Sequence, residues 1–394
     1  MNKIKNYFSE LSVLLKLNVR EYGMFIALAV IMLIFSYYSG GLFVSPRNLS
    51  NLLNQTGYIA VLAVGMTLVI IIRHIDLSVG YVAGFVGAVA AIMMVQYGVP
   101  VGIVIVAVLL LGTLIGLWHG FLVAFMGLPA FVSTLAGMLI FRGALLQVTQ
   151  GTGTIIIPNE FFNAISNGYI PDIVKVPGVH VLTLVLGLAG VGFFIYSEFK
   201  TRKNKLKYNF KVISMSMLLT KLVFVSSIIL LITYILATYN GISWTVVIML
   251  VTVGIYQFIT NKTVIGRHIY AVGGNPEAAE LSGISVKKIT LLVFASMGFL
   301  SAVSGILFAS RLRSATVTAG VLFELDAIAA AYVGGVSAKG GIGKVTGSII
   351  GAIVMASLSS GMNLIGMDIS IQYIVRGLVL IVAVVFDVRT RNKK

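Results

Sequence analysis

The chain has no cysteine, which excludes disulfides, thiolate metal sites and a cysteine nucleophile. Charge is almost as scarce: only 10% of the 394 residues are Asp, Glu, Lys or Arg, where a soluble domain carries about a quarter. Acids are the rarer sign, 12 against 28 basic residues. The four histidines are scattered, with no pair at metal-ligand spacing. No nucleophile–base pair is legible either, so no catalytic centre, metal or cofactor is expected. What is abundant is apolar surface, 58% of residues with a mean hydropathy of +1.03. That excludes both a water-soluble globule and a disordered chain.

The net charge of +16 does not point to nucleic acid. Its basic residues lie in short loops between long apolar runs, the pattern of a polytopic membrane protein. Lys3, Lys5, Glu10, Lys16 and Arg20 precede any apolar run, so no cleaved signal peptide is expected. Phe8, Leu11, Leu15 and Val19 could form one face of a short helix lying on the inner membrane surface.

About 20 apolar residues cross a bilayer. Uncharged runs of that kind occupy 22–46, 48–72, 77–118 (two spans, parted at Gly98-Val99-Pro100), 120–141 and 176–197. Two more fill 213–261, parted near Asn240-Gly241 and interrupted by Lys221, and others occupy 289–310, 345–367 and 369–386. The run 322–338 is short, opens with Glu324 and Asp326, and reads as a weak span or a half-helix. The expectation is an all-α protein of about 12 spans. With both termini inside, inner loops hold 21 Lys/Arg and outer loops 4, so both termini are expected in the cytoplasm.

No stretch is long enough for a soluble domain, so an energy source other than an ion gradient must sit on another polypeptide. The stretch Gly334–Lys344 is not a phosphate loop, because Val345 follows Gly343-Lys344 and Ala338 stands where a glycine is required. It reads as a tight turn between membrane segments. Gly80/Gly84, Gly112/Gly116/Gly120 and Gly347/Gly351 recur at the spacing of close helix packing.

Carboxylates between apolar runs are expensive, roughly 2.5–3.5 kcal/mol each at the bilayer centre. Asp76, in Ile75-Asp76-Leu77-Ser78, and Glu324 and Asp326 are therefore candidates to line a translocation path or gate, with Ser78 and Asn363 beside them. The structural alternative is that the acids cap helix starts. Arg142 and Arg376 are the available counter-charges. In the loop 261–288, Asn275 and Pro276 suit a helix start, Glu277 its first turn and Gly283 its end. A short capped helix too polar for lipid suits docking of a partner.

At this loop the chain resembles the permeases of ATP-binding-cassette importers: Glu277-Ala278-Ala279, three residues, then Gly283 is similar to their ATPase-docking motif. The downstream element is present only as Ile289-Thr290-Leu291, without its proline. More closely, the chain resembles the ribose, xylose and galactose permeases. The matching runs are Ser45–Asn48 with Asn51–Leu53, Ile75–Gly80, Thr134–Met138 with Phe141–Gly143, and Gly266-Arg267 with Tyr270–Asn275. Glu324–Ala330, Gly334–Gly343 and Gln372–Gly377 complete them, covering nearly the whole chain in order.

The resemblance implies one permease domain over 1–394: a ten-helix core plus two extra helices in 178–240, a cytoplasmic segment 1–21 and an ATPase-coupling loop 261–288. Gly266, Arg267, Gly274, Asn275, Glu277, Ala278, Ala279 and Gly283 would serve coupling, with Ala278 and Ala279 keeping the helix surface low enough to enter a groove. The implied partners are an ATPase subunit, an external sugar-binding protein, a second permease copy and the bacterial membrane. The long form is similar to xylose-type permeases. The rival from the residues alone is a 12-span carrier driven by an ion gradient, which would call for acids near the midplane and no docking helix.

Overall fold

In the computed structural model residues 19–149, 153–210 and 212–391 are described, and the surface helix expected around Phe8, Leu11 and Leu15 falls outside them. Among the described residues the helices run, in order, α1 (Val19–Tyr38), α2 (Pro46–Ile71), α3 (Val79–Val95), α4 (Val101–Ala124), α5 (Ala130–Thr149), α6 (Glu160–Asn167), α7 (Val181–Lys207) and α8 (Met215–Ala237). They continue with α9 (Trp244–Lys262), α10 (Val264–Gly274), α11 (Pro276–Leu281), α12 (Val286–Leu312), α13 (Phe323–Val333), α14 (Val345–Leu364) and α15 (Ile369–Arg391). Nine of these, namely α2, α4, α5, α7, α8, α9, α12, α14 and α15, are long and apolar enough to cross a membrane. Two antiparallel strand pairs accompany them: β1 (Thr154–Ile156) with β4 (Ser314–Thr316), and β2 (Lys175–Val176) with β3 (Val179–His180).

Several boundaries differ from the sequence expectation. The run 120–141 is not a span. Helix α4 passes straight through His119 to Ala124, and α5 starts at Ala130. The break is at Gly127, with φ 71°, followed by Leu128-Pro129. His119 is buried at 1% exposure inside the continuous helix α4 and does not interrupt it. The expected basic loop Lys200–Lys211 is helical as far as Lys207, because Lys and Arg are good helix formers and suit a helix C-terminus. The weak span 322–338 is the half-helix α13, 11 residues long.

Tyr169–Ser243 forms a compact unit together with Val44–Ser50 and 19–23. Within it α7 packs on α8, and Lys221, which interrupts an apolar run, donates to Glu198 at 2.7 Å. The remaining chain forms the second unit. Its centre is α2, with 89% of its most apolar stretch buried, against 6% for α15. Helix α12 lies against α4 and α3. Gly112, Gly116 and Gly120 of α4 meet Gly298, Ala302 and Leu291 of α12 so closely that a Cβ on Gly112 would come within 2.6 Å of the Ala302 Cβ. Lipid tails offer no apolar driving force, so backbone proximity of this kind supplies the contact. Gly347 and Gly351 meet Gly334 and Ala330 in the same way, whereas Gly80 and Gly84 face the non-helical segment at Ala319 and Gly320.

Candidate functional site

Two chain segments reach their helices through irregular backbone that passes from exposed to buried positions. Helix α2 ends at Ile71, Arg73 takes a left-handed conformation at φ 66°, and α3 begins only at Val79. In the lead-in, the Asp76 Oδ1 accepts from the Ser78 N–H at 2.9 Å and from its hydroxyl at 2.6 Å, and both residues are buried. The second irregular segment follows α12 and enters α13 through Gly320 (φ 85°) and Leu322 (φ 63°).

The first turns of α3 and α13 abut. Gly80 packs on the Gly320 carbonyl, and a Cβ on Gly80 would come 2.5 Å from the Glu324 Oε2. Glu324 is 6% exposed, and its Oε2 has no hydrogen-bond partner among the described residues. Two helix N-termini thus face one another around a carboxylate, each contributing partial positive charge. Beside this junction Tyr58, Phe308 and Phe323 form an aromatic cluster with ring centroids 4.9–5.2 Å apart. Sequence reasoning passed over these rings; their signal, a Phe directly before Glu324, is too common to stand out.

Asp326 and Asn363 belong to a different group, gathered by α15. Arg376 lies 3.5 Å from the Asp326 Oδ2, and the Gln372 Nε2 donates to the Asn363 Oδ1 at 2.8 Å. Gln372 and Arg376 are one helical turn apart and share a face. Arg376 therefore acts as the counter-charge that the sequence suggested. Arg142 does not occupy that role here: its guanidinium lies over the Tyr81 ring, 5.7 Å from the centroid.

The loop between α9 and α12 holds two helices where the sequence suggested one. Thr263 caps α10 by accepting from the Gly266 N–H at 3.2 Å, and a Cβ on Gly266 would overlap the carbonyls of Ile259 and Thr260. Arg267 is exposed. Gly274 closes α10, and Asn275 then caps α11, its Oδ1 accepting from the Ala278 N–H at 3.1 Å, with Pro276 at the first helical position. At the other end Gly283 (φ 81°) donates to Glu280 at 2.9 Å and Ile284 donates to Ala279 at 3.0 Å, a Schellman stop with glycine in its usual place. Glu277 and Ala278 are exposed. Ala279 is not: at 4% exposure it faces the protein's own core and offers nothing to a partner. The largest projecting group is one the sequence did not flag, Leu281, at 91% exposure. Its signal was being the lone large apolar side chain in Pro276–Leu281.

Comparison with known proteins adds an independent line. Residues 48–384 match the family described as branched-chain amino acid transport system / permease component. The chain is 41% identical to the xylose transport system permease protein XylH of Haemophilus influenzae, over 96% of this chain and 98% of the relative. It is 38% identical to XylH of Escherichia coli K12, over 96% and 94%. To the ribose import permease protein RbsC of Haemophilus influenzae it is 37% identical, over 95% of each. No solved structure matches the chain.

Proposed function

The chain belongs to the permease family of ATP-driven sugar importers, and we propose that it forms the path by which xylose, or a closely related monosaccharide, enters a bacterial cell. It is a multi-pass membrane protein and a transport subunit, without a catalytic role of its own. Xylose is the first choice because the relatives of highest identity quoted above are xylose permeases.

In this reading the ATPase is a separate cytoplasmic subunit that docks on α10 and α11, and an external binding protein delivers the sugar. Nine long helices, the shorter apolar α1 and α3, and the half-helix α13 would, in this reading, together make up the expected dozen membrane segments. The bias of basic residues supports cytoplasmic termini and a position for α10–α11 on the same, ATPase-facing side. A second permease copy is supported by α15, which buries little of itself within one chain yet carries the Asp326–Arg376 pair. Closure of the ATPase would shift α10 and α11, part the first turns of α3 and α13 at Gly80 and Glu324, and let the sugar pass. Asp76, Ser78, Glu324, Asp326 and Asn363 are proposed to border that passage.

The observation that carries the docking reading is α11, a six-residue helix capped at both ends with Leu281 projecting from it. A helix of six residues does not persist unaided. Caps at both ends, in a loop without apolar burial for most of its residues, suit a surface held ready for a partner. Uptake in proteoliposomes tests the whole: sugar should accumulate only with the ATPase, ATP and the binding protein present. Accumulation without the ATPase that an ionophore abolishes would overturn it.

A further inference from the structure

We infer that Arg73 is the positioning residue that transmits movement of the docking helices to both interrupted helices of the path, an inference that rests on the docking reading above. Arg73 stands just beyond α2, in the left-handed region. A non-glycine residue there carries backbone strain. Its side chain spans to α10, where Nε donates to the Gly273 carbonyl at 2.7 Å and Nη2 donates to the Gly274 carbonyl. These are the last two residues of α10, whose terminal carbonyls have no partner within the helix. A guanidinium satisfies both and suits the negative end of the helix dipole.

The same end of α10 is also locked to the turn that joins α13 to α14. The Gly341 N–H donates to the Ile71 carbonyl at 2.8 Å, and the Tyr270 hydroxyl donates to the Gly343 carbonyl at 2.7 Å. Ile71, Gly273 and Gly340–Gly341 approach so closely that a Cβ on Gly273 or Gly340 would overlap neighbouring backbone. Gly340 and Gly341 both have positive φ, at 78° and 68°. Three chain segments therefore meet backbone to backbone, and Arg73 adds paired charged donors to their junction.

The connections lead on to the path. From Arg73 the chain reaches Asp76 in three residues and then enters α3. From Gly340 it runs back through Gly334 to α13, the helix that carries Glu324. The lead-in to α3 and the turn beyond α13 are thus both held by one element, α10, while the first turns of the two helices abut at Gly80 and Glu324. On the partner side, Asn275 both ends α10 and caps α11, so a single residue separates the docking surface from the clasp. Movement of α11 is delivered to Gly273–Gly274, and Arg73 passes it to the lead-in of α3 while the glycine contacts pass it to α13.

The test separates side chain from backbone. Arg73→Gly suits a positive φ better than arginine does and removes the two guanidinium hydrogen bonds together with the stem that packs on Gly340, whereas Arg73→Lys keeps most of that stem. In proteoliposomes of the full complex, Arg73→Gly should insert, bind the ATPase and support ATP hydrolysis like the parent, while sugar moved per ATP falls at least tenfold. Arg73→Lys, which presents a single charged donor group, should restore part of that ratio. An unchanged ratio in Arg73→Gly overturns the proposal. So does a loss of insertion or of ATPase binding in step with transport that Arg73→Lys fails to relieve, since that marks a merely structural residue. Failure of the docking reading would appear elsewhere, as normal ATPase binding after truncation of Leu281.

Discussion

Truncating Leu281 is the most direct probe of the docking surface. Its side chain is 91% exposed, so Leu281→Ala removes almost nothing from the protein's own packing. Stability should stay within about 0.5 kcal/mol of the parent, as for other exposed substitutions. If the ATPase covers the side chain fully, its loss costs about 1.5–3 kcal/mol of association, or a Kd raised roughly 10- to 150-fold at 1.4 kcal/mol per decade. The measurement is a titration of the ATPase against permease held in nanodiscs, with membrane level and thermal unfolding followed in parallel. Leu281→Glu should weaken binding further, because it adds the cost of burying a charge. Ala279→Arg is the unsuitable alternative: it would drive a guanidinium into a position 4% exposed and damage the fold before binding could be read. Unchanged affinity in both Leu281 variants would remove α11 as the docking surface.

Glu324→Gln and Asp76→Asn keep the shape of each side chain, and the amide oxygen introduced by Asp76→Asn would still accept from Ser78, so uptake should fall while membrane level holds; normal uptake in both refutes a path role for these acids. Arg376→Gln should lower the unfolding temperature through loss of the one-quarter-exposed Asp326 pair, a cost of about 1–3 kcal/mol after allowance for solvent, and the double variant with Asp326→Asn should be milder than the sum of the singles. Gly116→Val, set against α12 backbone, should destabilise by about 3 kcal/mol, whereas Gly143→Val, with no atom within 4 Å of its added Cβ, should be tolerated. Burial pushes the Asp172 carboxyl up, but the amides of Leu182 and Val181 and the neighbouring His180 outweigh it and hold it below the ordinary carboxylate value. Its contribution is therefore present above about pH 4 and is lost as pH falls through the lowered value, so the protection of the Val181 and Leu182 amides, taken relative to the intrinsic exchange rate at each pH, should fall only on acidification.

The apolar runs were legible because crossing a bilayer demands length and hydropathy from consecutive residues. Helix α2, the break at Gly98-Val99-Pro100 and the caps Asn275, Pro276 and Gly283 all follow from such local rules. Reading charge alone misplaced the start of α5, because the histidine that ended the uncharged run is buried within α4 and leaves that helix continuous. It likewise ended α7 too early, since a basic segment can remain helical once it leaves the apolar layer.

What lay beyond reach was everything set by proximity between distant segments. Glu198 and Lys221 compensate each other from separate helices, and Arg142 found an aromatic ring instead of an acid. Arg73 reads in the sequence as one isolated basic residue counted toward topology. Only the fold brings it to carbonyls 200 and 201 positions away. The glycines that permit that approach look no different in sequence from those that merely face open space, such as Gly254 and Gly377. The spacing of small residues therefore identifies where helices can come close, whereas the site depends on which backbone atoms they let meet. For this chain those meetings, Gly80 with Gly320 and Gly273 with Ile71, lie at the two ends of the segments proposed to carry the coupling.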